Sequence, residues 1–407
     1  MCDSHLFPHR QLLAAIKSAY VHSETSREAY DEFLPFAYSM VELGRVFDED
    51  TRDRVQKFHY VWSTNLLTSA EGKSSSSSSS SSASASSSLP HSVPVLAQKS
   101  PMFELVMLVA SLGVQYWTKA HGTLHGAAYS LTTDASAVIP EEPPSVAALK
   151  TAYQALRRAS GVFEELGRQI AAYPDAPSED VLPLEATPLG AWILTEWARA
   201  EAEGMLRMFS EAEGKASHKL IARIAYAEAD RYAAIHERIT GAYDKDIASY
   251  LTMRAALAAA SGLYRQAMIQ SEAGEHGIAC AYINAAMTEL ETVRSVVGDS
   301  STGSSSSSSS SSSFFSSLSR AVFGDSIPAK YRALLPLISA TATTISTAAE
   351  VINRENSTIY YEIVPDVDTC ERFPPADVAK PEPFAVPPPA FPSIELKDDT
   401  ASSCSLM

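Results

Sequence analysis

The feature that most limits this chain is a helical repeat of apolar side chains running, with short breaks, from residue 146 to residue 353. In Val146–Ala172, Leu149, Ala152, Leu156, Ala159 and Phe163 fall on one stripe at three-to-four spacing, the period of a helix that buries one face. The same pattern recurs over Leu189–Glu213, Ser217–Ala242, Tyr250–Gly274, Gly277–Val297 and Pro328–Asn353. Glycine and proline mark the joints, at Gly214, Gly274-Glu275-His276-Gly277 and Pro328. Long helices with short joints must fold back as antiparallel hairpins. The stretch 264–290 matches one tetratricopeptide-type unit, with Ala-rich faces for close approach and Tyr264 and Tyr282 as larger packing residues. Stacked units of this kind form a curved rod with an extended binding face. β-branched alternation is almost absent, and only Ser357–Val364 has a strand-like or extended sequence. The predicted class is mainly all-α.

Two serine runs interrupt the helical pattern, Ser74–Ser88 and Ser304–Ser313. Serine tracts bury too little apolar surface to offset their ordering entropy, so insertions at 74–96 and 299–313 are expected as loops. A folded domain tolerates such loops because closure entropy grows slowly with length. They cut the folded part into residues 5–73, 97–298 and 314–370. After Cys370 the chain becomes Pro-rich, which predicts a helical domain over 1–370 and a semi-rigid tail over 371–407.

Composition narrows the function. A net charge of -16 repels nucleic acid and anionic lipid, so neither is an expected partner of the domain. The four cysteines, Cys2, Cys280, Cys370 and Cys404, show no regular spacing and predict reduced thiols in the cytoplasm. The N-terminus lacks the pattern of a secretory signal, and Cys2 stands where myristoylation needs glycine. The apolar run Phe103–Trp117 is shorter than the roughly 20 residues of a membrane span and predicts a buried helix.

Catalytic patterns are missing: there is no phosphate loop, no GxSxG, no HExxH and no Cys-x5-Arg loop. His121 and His125 stand four apart, a spacing that can present two imidazoles to a metal. Without a Cys or carboxylate nearby in sequence they are expected to be ordinary helix or loop histidines, with no metal. Glu201 and Glu203 are expected on a solvated face rather than as an acid/base pair. No enzyme activity, small-molecule substrate or cofactor is expected. The ending Cys404-Ser405-Leu406-Met407 fits a C-a-a-X prenyl acceptor, with Met favouring a farnesyl group as a covalent modification of Cys404.

Several segments, taken in order, resemble the BRO-one (BRO1) domain family of ALIX and its relatives. Phe58-His59-Tyr60-Val61-Trp62 is similar to the family's F-x-W segment, and 100–110 (SPMFELVMLVA) to its fEkasVLFNiaa helix. Residues 149–163 (LKTAYQALRRASGVF) resemble its lk.A...fq.AAgaF helix. The pair Arg199-Ala-Glu-Ala-Glu203 and Leu220-Ile-Ala-Arg-Ile-Ala-Tyr226 resembles AQAQE…iiAkLA, and 356–366 (NSTIYYEIVPD) its closing NdfIYhdrVPd. One domain followed by a C-a-a-X ending is similar to the BROX-type subgroup. The resemblance implies a boomerang-shaped domain on a tetratricopeptide-like core, in a family that usually adds a small N-terminal sheet. It implies an adaptor that binds the C-terminal amphipathic helix of an ESCRT-III subunit of the charged multivesicular body protein 4 class. The prenyl tail would hold this adaptor at endosomal or other intracellular membranes. A signalling scaffold of the same fold, Rho-linked or pH-responsive, is the alternative. Tyr360 matches a tyrosine that relatives can phosphorylate, although a packed or partly exposed structural tyrosine is the simpler expectation.

The binding surface is sought on Ser217–Ala242. Ile221, Ala225, Tyr232 and Ile235 form a core stripe, with Glu228 filling its gap. Leu220, Ile224 and Ala227 form a second apolar stripe, rotated by about 100°. The pattern alone leaves open whether both stripes are core. The resemblance assigns Leu220 and Ile224 to the partner helix, with Met205 and Leu206 on the preceding helix and Lys219 and Arg223 as flanking charges that set register.

Overall fold

The computed structural model of the chain describes residues 34, 35, 38, 60–63, 95–98, 101–125, 144–172, 187–239, 245–299 and 334–385. These contain seven α-helices: α1 Pro101–His125, α2 Val146–Ala171, α3 Pro188–Glu213, α4 His218–Ile239, α5 Lys245–Glu272, α6 His276–Asp299 and α7 Leu335–Glu355. The fold is mainly helical, as the periodicity predicts. Both serine runs, and Cys404, lie outside the described residues.

Helix boundaries follow local chemistry. Ser145 caps α2, its Oγ accepting from Ala148 N at 3.2 Å, and Ser217 caps α4, its Oγ accepting from Leu220 N at 3.3 Å. Each satisfies an amide that has no partner inside its helix. Proline opens α1 and α3, where its missing N–H costs nothing. Between α5 and α6, Gly274 takes φ +81° and Glu275 N donates to Gln270 O at 2.9 Å. This left-handed C-cap is open to glycine because it lacks Cβ, and it allows α6 to start within four residues of the end of α5.

Two short strands form a small sheet of the kind the resemblance allows, although no pattern in the sequence marks them. β1 Tyr60–Ser63 and β2 Val95–Gln98 pair antiparallel, with Val61 opposite Ala97 and Trp62 opposite Leu96. Four residues are too few to establish an alternating pattern, though Tyr, Val and Trp all favour strands. Val95 and Leu96 fall in the stretch assigned to the first loop and belong to β2 instead. The opposite correction applies to Ser357–Tyr360, while Tyr361–Val364 belongs to no helix or strand. Residues Asn356–Tyr360 continue α7 as one π-helical turn, and Tyr361 ends it at φ 54°. The β-branched residues there misled because the helix, once formed, overrides a weak local strand preference.

The chain divides into two compact units. One comprises residues 1–112, 165–188 and 384–407. In it Leu105, Leu108 and Leu166 are fully buried, which places the apolar start of α1 in a core. The second comprises residues 113–164 and 189–383. Here α4 packs on α5, α5 on α6, and α7 on α6 and α5. Met253, Leu257, Ile283, Leu290, Ile338 and Ile345 fill the α5–α6–α7 core. Ile193, Tyr232, Ile235 and Leu251 fill the α3–α4–α5 core. Ala120, Ala152, Leu156 and Ala202 join α1, α2 and α3, together with a residue from far along the chain, Ala379.

Ala379 marks the main departure from expectation. The Pro-rich stretch after Cys370 does not begin as a free tail. Residues 371–383 run extended across the helices in reverse order. Glu371 O accepts from Gln266 Nε2 of α5 at 2.6 Å and from Tyr282 Oη of α6 at 2.7 Å. Ala376 N donates to Arg223 O of α4 at 3.0 Å, and Glu382 N to Arg157 O of α2 at 3.0 Å. A Cβ on Gly161 would lie 1.7 Å from Glu382 O, so the crossing at α2 requires glycine there. The boundary expected at residue 370 therefore falls inside the second unit. Proline permits this because it fixes an extended backbone without demanding a sheet partner.

Candidate partner-binding site

The α3–α4 pair is held together by buried charge. Glu228, 2% exposed, accepts from Arg207 Nε at 3.1 Å and from Arg254 at 3.2 Å. Arg207 and Arg254 are themselves buried, so one carboxylate pairs with two guanidiniums across α3, α4 and α5. Glu203, 0% exposed, accepts from Arg231 Nε on both oxygens at 3.0 Å. Burial pushes the Glu203 carboxyl up to about 8, with Arg231 opposing it. Arg231 also pairs with Glu196.

Glu201 and Glu203, expected on a solvated face, are thus both interior. Burial would raise Glu201, but His121 beside it outweighs that effect and holds the carboxyl below its ordinary value. His121 Nε2 stands 2.9 Å from Glu201 Oε2, and Trp197 Nε1 donates to Glu201 Oε1 at 3.1 Å. The sequence misled because glutamates two apart point to different sides of a helix; only the neighbouring helices supply His121 and Arg231. Among the described residues no cluster of His, Cys, Asp or Glu has the makings of a metal site.

The six residues assigned to a partner helix divide by position. Leu220, in the first turn of α4, is 40% exposed, the only large apolar side chain so exposed on the described part of α3 or α4. Lys219 beside it is exposed. Ile224 is 1% exposed, so this residue, taken as a second anchor, is a core residue instead. One turn from Leu220, it faces inward, and the second stripe is only open at its N-terminal end. Met205 and Leu206 are half-buried. Met205 packs on the α1–α2–α3 cluster that contains Ala379. Lys219 and Arg223 are engaged within the chain: Lys219 Nζ sits 5.1 Å from the Phe373 ring centre, and Arg223 Nε donates to Pro374 O at 2.9 Å.

The extended segment therefore meets Lys219 and Arg223, and its own contributors were missed. Asp377 Oδ1 accepts from Arg199 at 2.6 Å and from Arg231 at 2.7 Å. Arg372 lies 3.9 Å over the Tyr226 ring and pairs with Asp230 at 3.3 Å. Ala376 and Ala379 are the segment's buried residues, at 6% and 0% exposure. A signal for them existed. They are three apart, the repeat of a polyproline helix, which puts two small side chains on one side.

Tyr360 is 45% exposed, and its ring stacks on His276 at 3.4 Å between centres and 8° between planes. The turn around it is rigid. Asn356 Nδ2 donates to Glu362 O and Asn356 Oδ1 accepts from Glu362 N, both at 3.0 Å, while Glu362 Oε2 accepts from Gly277 N at 2.6 Å. Among the described residues no helix is long and apolar enough to cross a membrane.

Comparison with known proteins places this architecture. A comparison with curated proteins returned no match. Among solved structures the chain is similar to ALIX in complex with the SIVmac239 PYKEVTEDL late domain, with a TM-score of 0.59 and 15% identity over 93% of this chain and 44% of that one. It is similar to the ALIX BRO1–CHMP4C complex, with a TM-score of 0.59 and 14% identity over 93% of this chain and 85% of that one. It is also similar to the Bro1 domain studied for endosomal targeting, with a TM-score of 0.56 and 13% identity over 94% of this chain and 85% of that one. The chain thus spans less than half of the first ALIX structure and most of the two BRO1-domain structures. These likenesses establish a shared fold, and the sequence itself carries the family's profile: the BRO1-like domain matches residues 126–402, more than half of the chain. A helical stack that bears this profile over more than half of its length makes the chain a member of the BRO1-like domain family.

Proposed function

We propose that the chain is a non-enzymatic adaptor that binds the C-terminal amphipathic helix of an ESCRT-III subunit on the exposed start of α4. The observation that carries this reading is Leu220: a large apolar side chain 40% exposed on a helix whose other large apolar residues are buried. Exposed Lys219 lies beside it, and half-buried Leu206 is on the neighbouring helix. An apolar anchor with basic neighbours fits an amphipathic helix with acidic flanks, in which few contacts carry most of the energy. That ALIX BRO1 has been solved with CHMP4C supports the choice of partner. The BROX-type ending supports a farnesyl group on Cys404. A single prenyl chain gives marginal binding, so membrane association on endosomal or other intracellular membranes would need the protein contact as well.

Calorimetry with a synthetic peptide of the CHMP4C C-terminal helix tests the reading. Binding by the full chain, lost in Leu220→Asp with an unchanged circular dichroism spectrum, is the expected result. Undiminished binding by a folded Leu220→Asp chain would place the site elsewhere.

A further inference from the structure

Residues 371–383 are held in an unusual way. The segment crosses α6, α5, α4, α3 and α2 without forming helix or strand. From 371 to 380 it buries only Ala376 and Ala379, two of the smallest side chains available. The rest of its attachment is polar: backbone hydrogen bonds to α2 and α4, two hydrogen bonds from buried Gln266 and Tyr282 to Glu371 O at its start, and ion pairs at the rim. Arg372–Asp230 and Arg158–Glu382 are pairs in which every side chain is at least 40% exposed. Such pairs are screened and contribute little. Segments with few buried apolar contacts and solvent-facing hydrogen bonds occupy the low end of local stability. The helices beneath are built differently, with full apolar stripes and the buried Glu228 and Glu203 pairs. The segment can therefore leave while the helices stay.

What it covers decides what its departure does. Lys219 and Arg223 are two of the side chains that the partner helix would use, and each meets the segment, while Met205 packs on the cluster that holds Ala379. One contact also gives the segment a defined lock. Asp377, 59% exposed, is gripped by two guanidiniums, Arg199 and Arg231, that are 17% and 14% exposed. Glu196 already pairs with both guanidiniums and Glu203 with Arg231, so the loss of Asp377 frees only the donor that each arginine turns toward the segment. Those two guanidiniums are well placed for a carboxylate on an incoming acidic helix, the same chemistry that Asp377 supplies.

We propose that residues 371–383 are a releasable strap that occupies part of the partner-helix site, with Asp377 as its lock, so that the adaptor binds its partner fully only when the strap lifts. This rests on the helix-binding reading above. A site competent only in the strap-free fraction has its apparent affinity reduced by that fraction. Removing the lock raises the apparent affinity without touching a partner contact.

The test compares the full chain with Asp377→Ala and with Ala379→Glu, which cannot be buried among Ala120, Ala152 and Leu156. Hydrogen exchange of the 371–383 amides reports the strap, and titration with the fluorescent CHMP4C peptide reports the site. Expected are strap amides that exchange faster in both variants, α4 and α5 amides that do not, and peptide affinity raised by about tenfold. Wild-type strap amides as slow as those of α4 and α5 overturn the proposal. So does equal affinity in a variant whose strap exchanges faster, which leaves the helix-binding reading standing. Peptide bound by neither wild type nor strap-released variants refutes the helix-binding reading, and the strap as its regulator falls with it.

Discussion

Leu220 and Ile224 lie one turn apart on α4 and have the same apolar character, yet the structure gives them opposite duties. Ile224 is 1% exposed. Ile224→Ala removes three carbons from a closed site, so it loses about 0.8 kcal/mol of transfer free energy per carbon and leaves a cavity. The expected loss of unfolding free energy is about 3 kcal/mol, within the usual range of about 2–5. Leu220 is 40% exposed. Leu220→Ala removes a similar group that is only partly withdrawn from water and leaves a gap open to solvent, so the expected loss is about 1 kcal/mol or less. Peptide binding should rank the two in the other order. Loss of an exposed anchor costs about 1.4 kcal/mol or more, a tenfold or greater drop in affinity, whereas Ile224→Ala acts only as far as it deforms α4. Urea unfolding and peptide titration of both variants give the four numbers. An Ile224→Ala chain of wild-type stability that fails to bind would refute the reasoning. It would mean that Ile224 is a contact residue in solution and that the second stripe is open along its length.

Glu228→Gln should cost about 3–5 kcal/mol, because it strips the charge that pairs with buried Arg207 and Arg254; urea unfolding measures it, and a loss under about 1 kcal/mol would show that water reaches the cluster. Glu203, with a folded value pushed up to about 8 against an ordinary 4.5, binds its proton more tightly when folded. Stability from this proton is full below the ordinary value and is lost as pH rises toward about 8. Glu203→Gln should therefore flatten the decline in stability between about pH 5 and about pH 8, and an unchanged slope would show that Arg231 keeps the carboxylate ionised. A farnesyl analogue should label the chain in cells and fail to label Cys404→Ser; absence of label on the wild type would remove the prenyl anchor.

The sequence alone determined the long helices. Their apolar residues repeat at the helical period over 20 or more residues, and α2, α3, α5 and α6 follow from Leu149–Phe163, Leu189–Glu213, Tyr250–Gly274 and Gly277–Val297 with small errors at the ends. Leu220 was legible as a surface residue only through the family pattern, because two adjacent apolar stripes on one helix say nothing about which is covered. Tertiary structure decided the rest. Glu201 and Glu203 look like a polar face until His121, 80 positions earlier on α1, and Arg231, 28 positions later on α4, pack against them, with Trp197 of α3 itself completing the Glu201 site. The strap was least legible of all. A Pro-rich sequence has no period that signals burial, its two anchors are alanines, and its partners Arg157, Arg199, Arg223 and Arg231 lie 146 or more residues earlier in the chain. Local sequence encodes the backbone conformation of such a segment, but whether it lies on the protein or in water depends on a surface that exists only after the helices have packed.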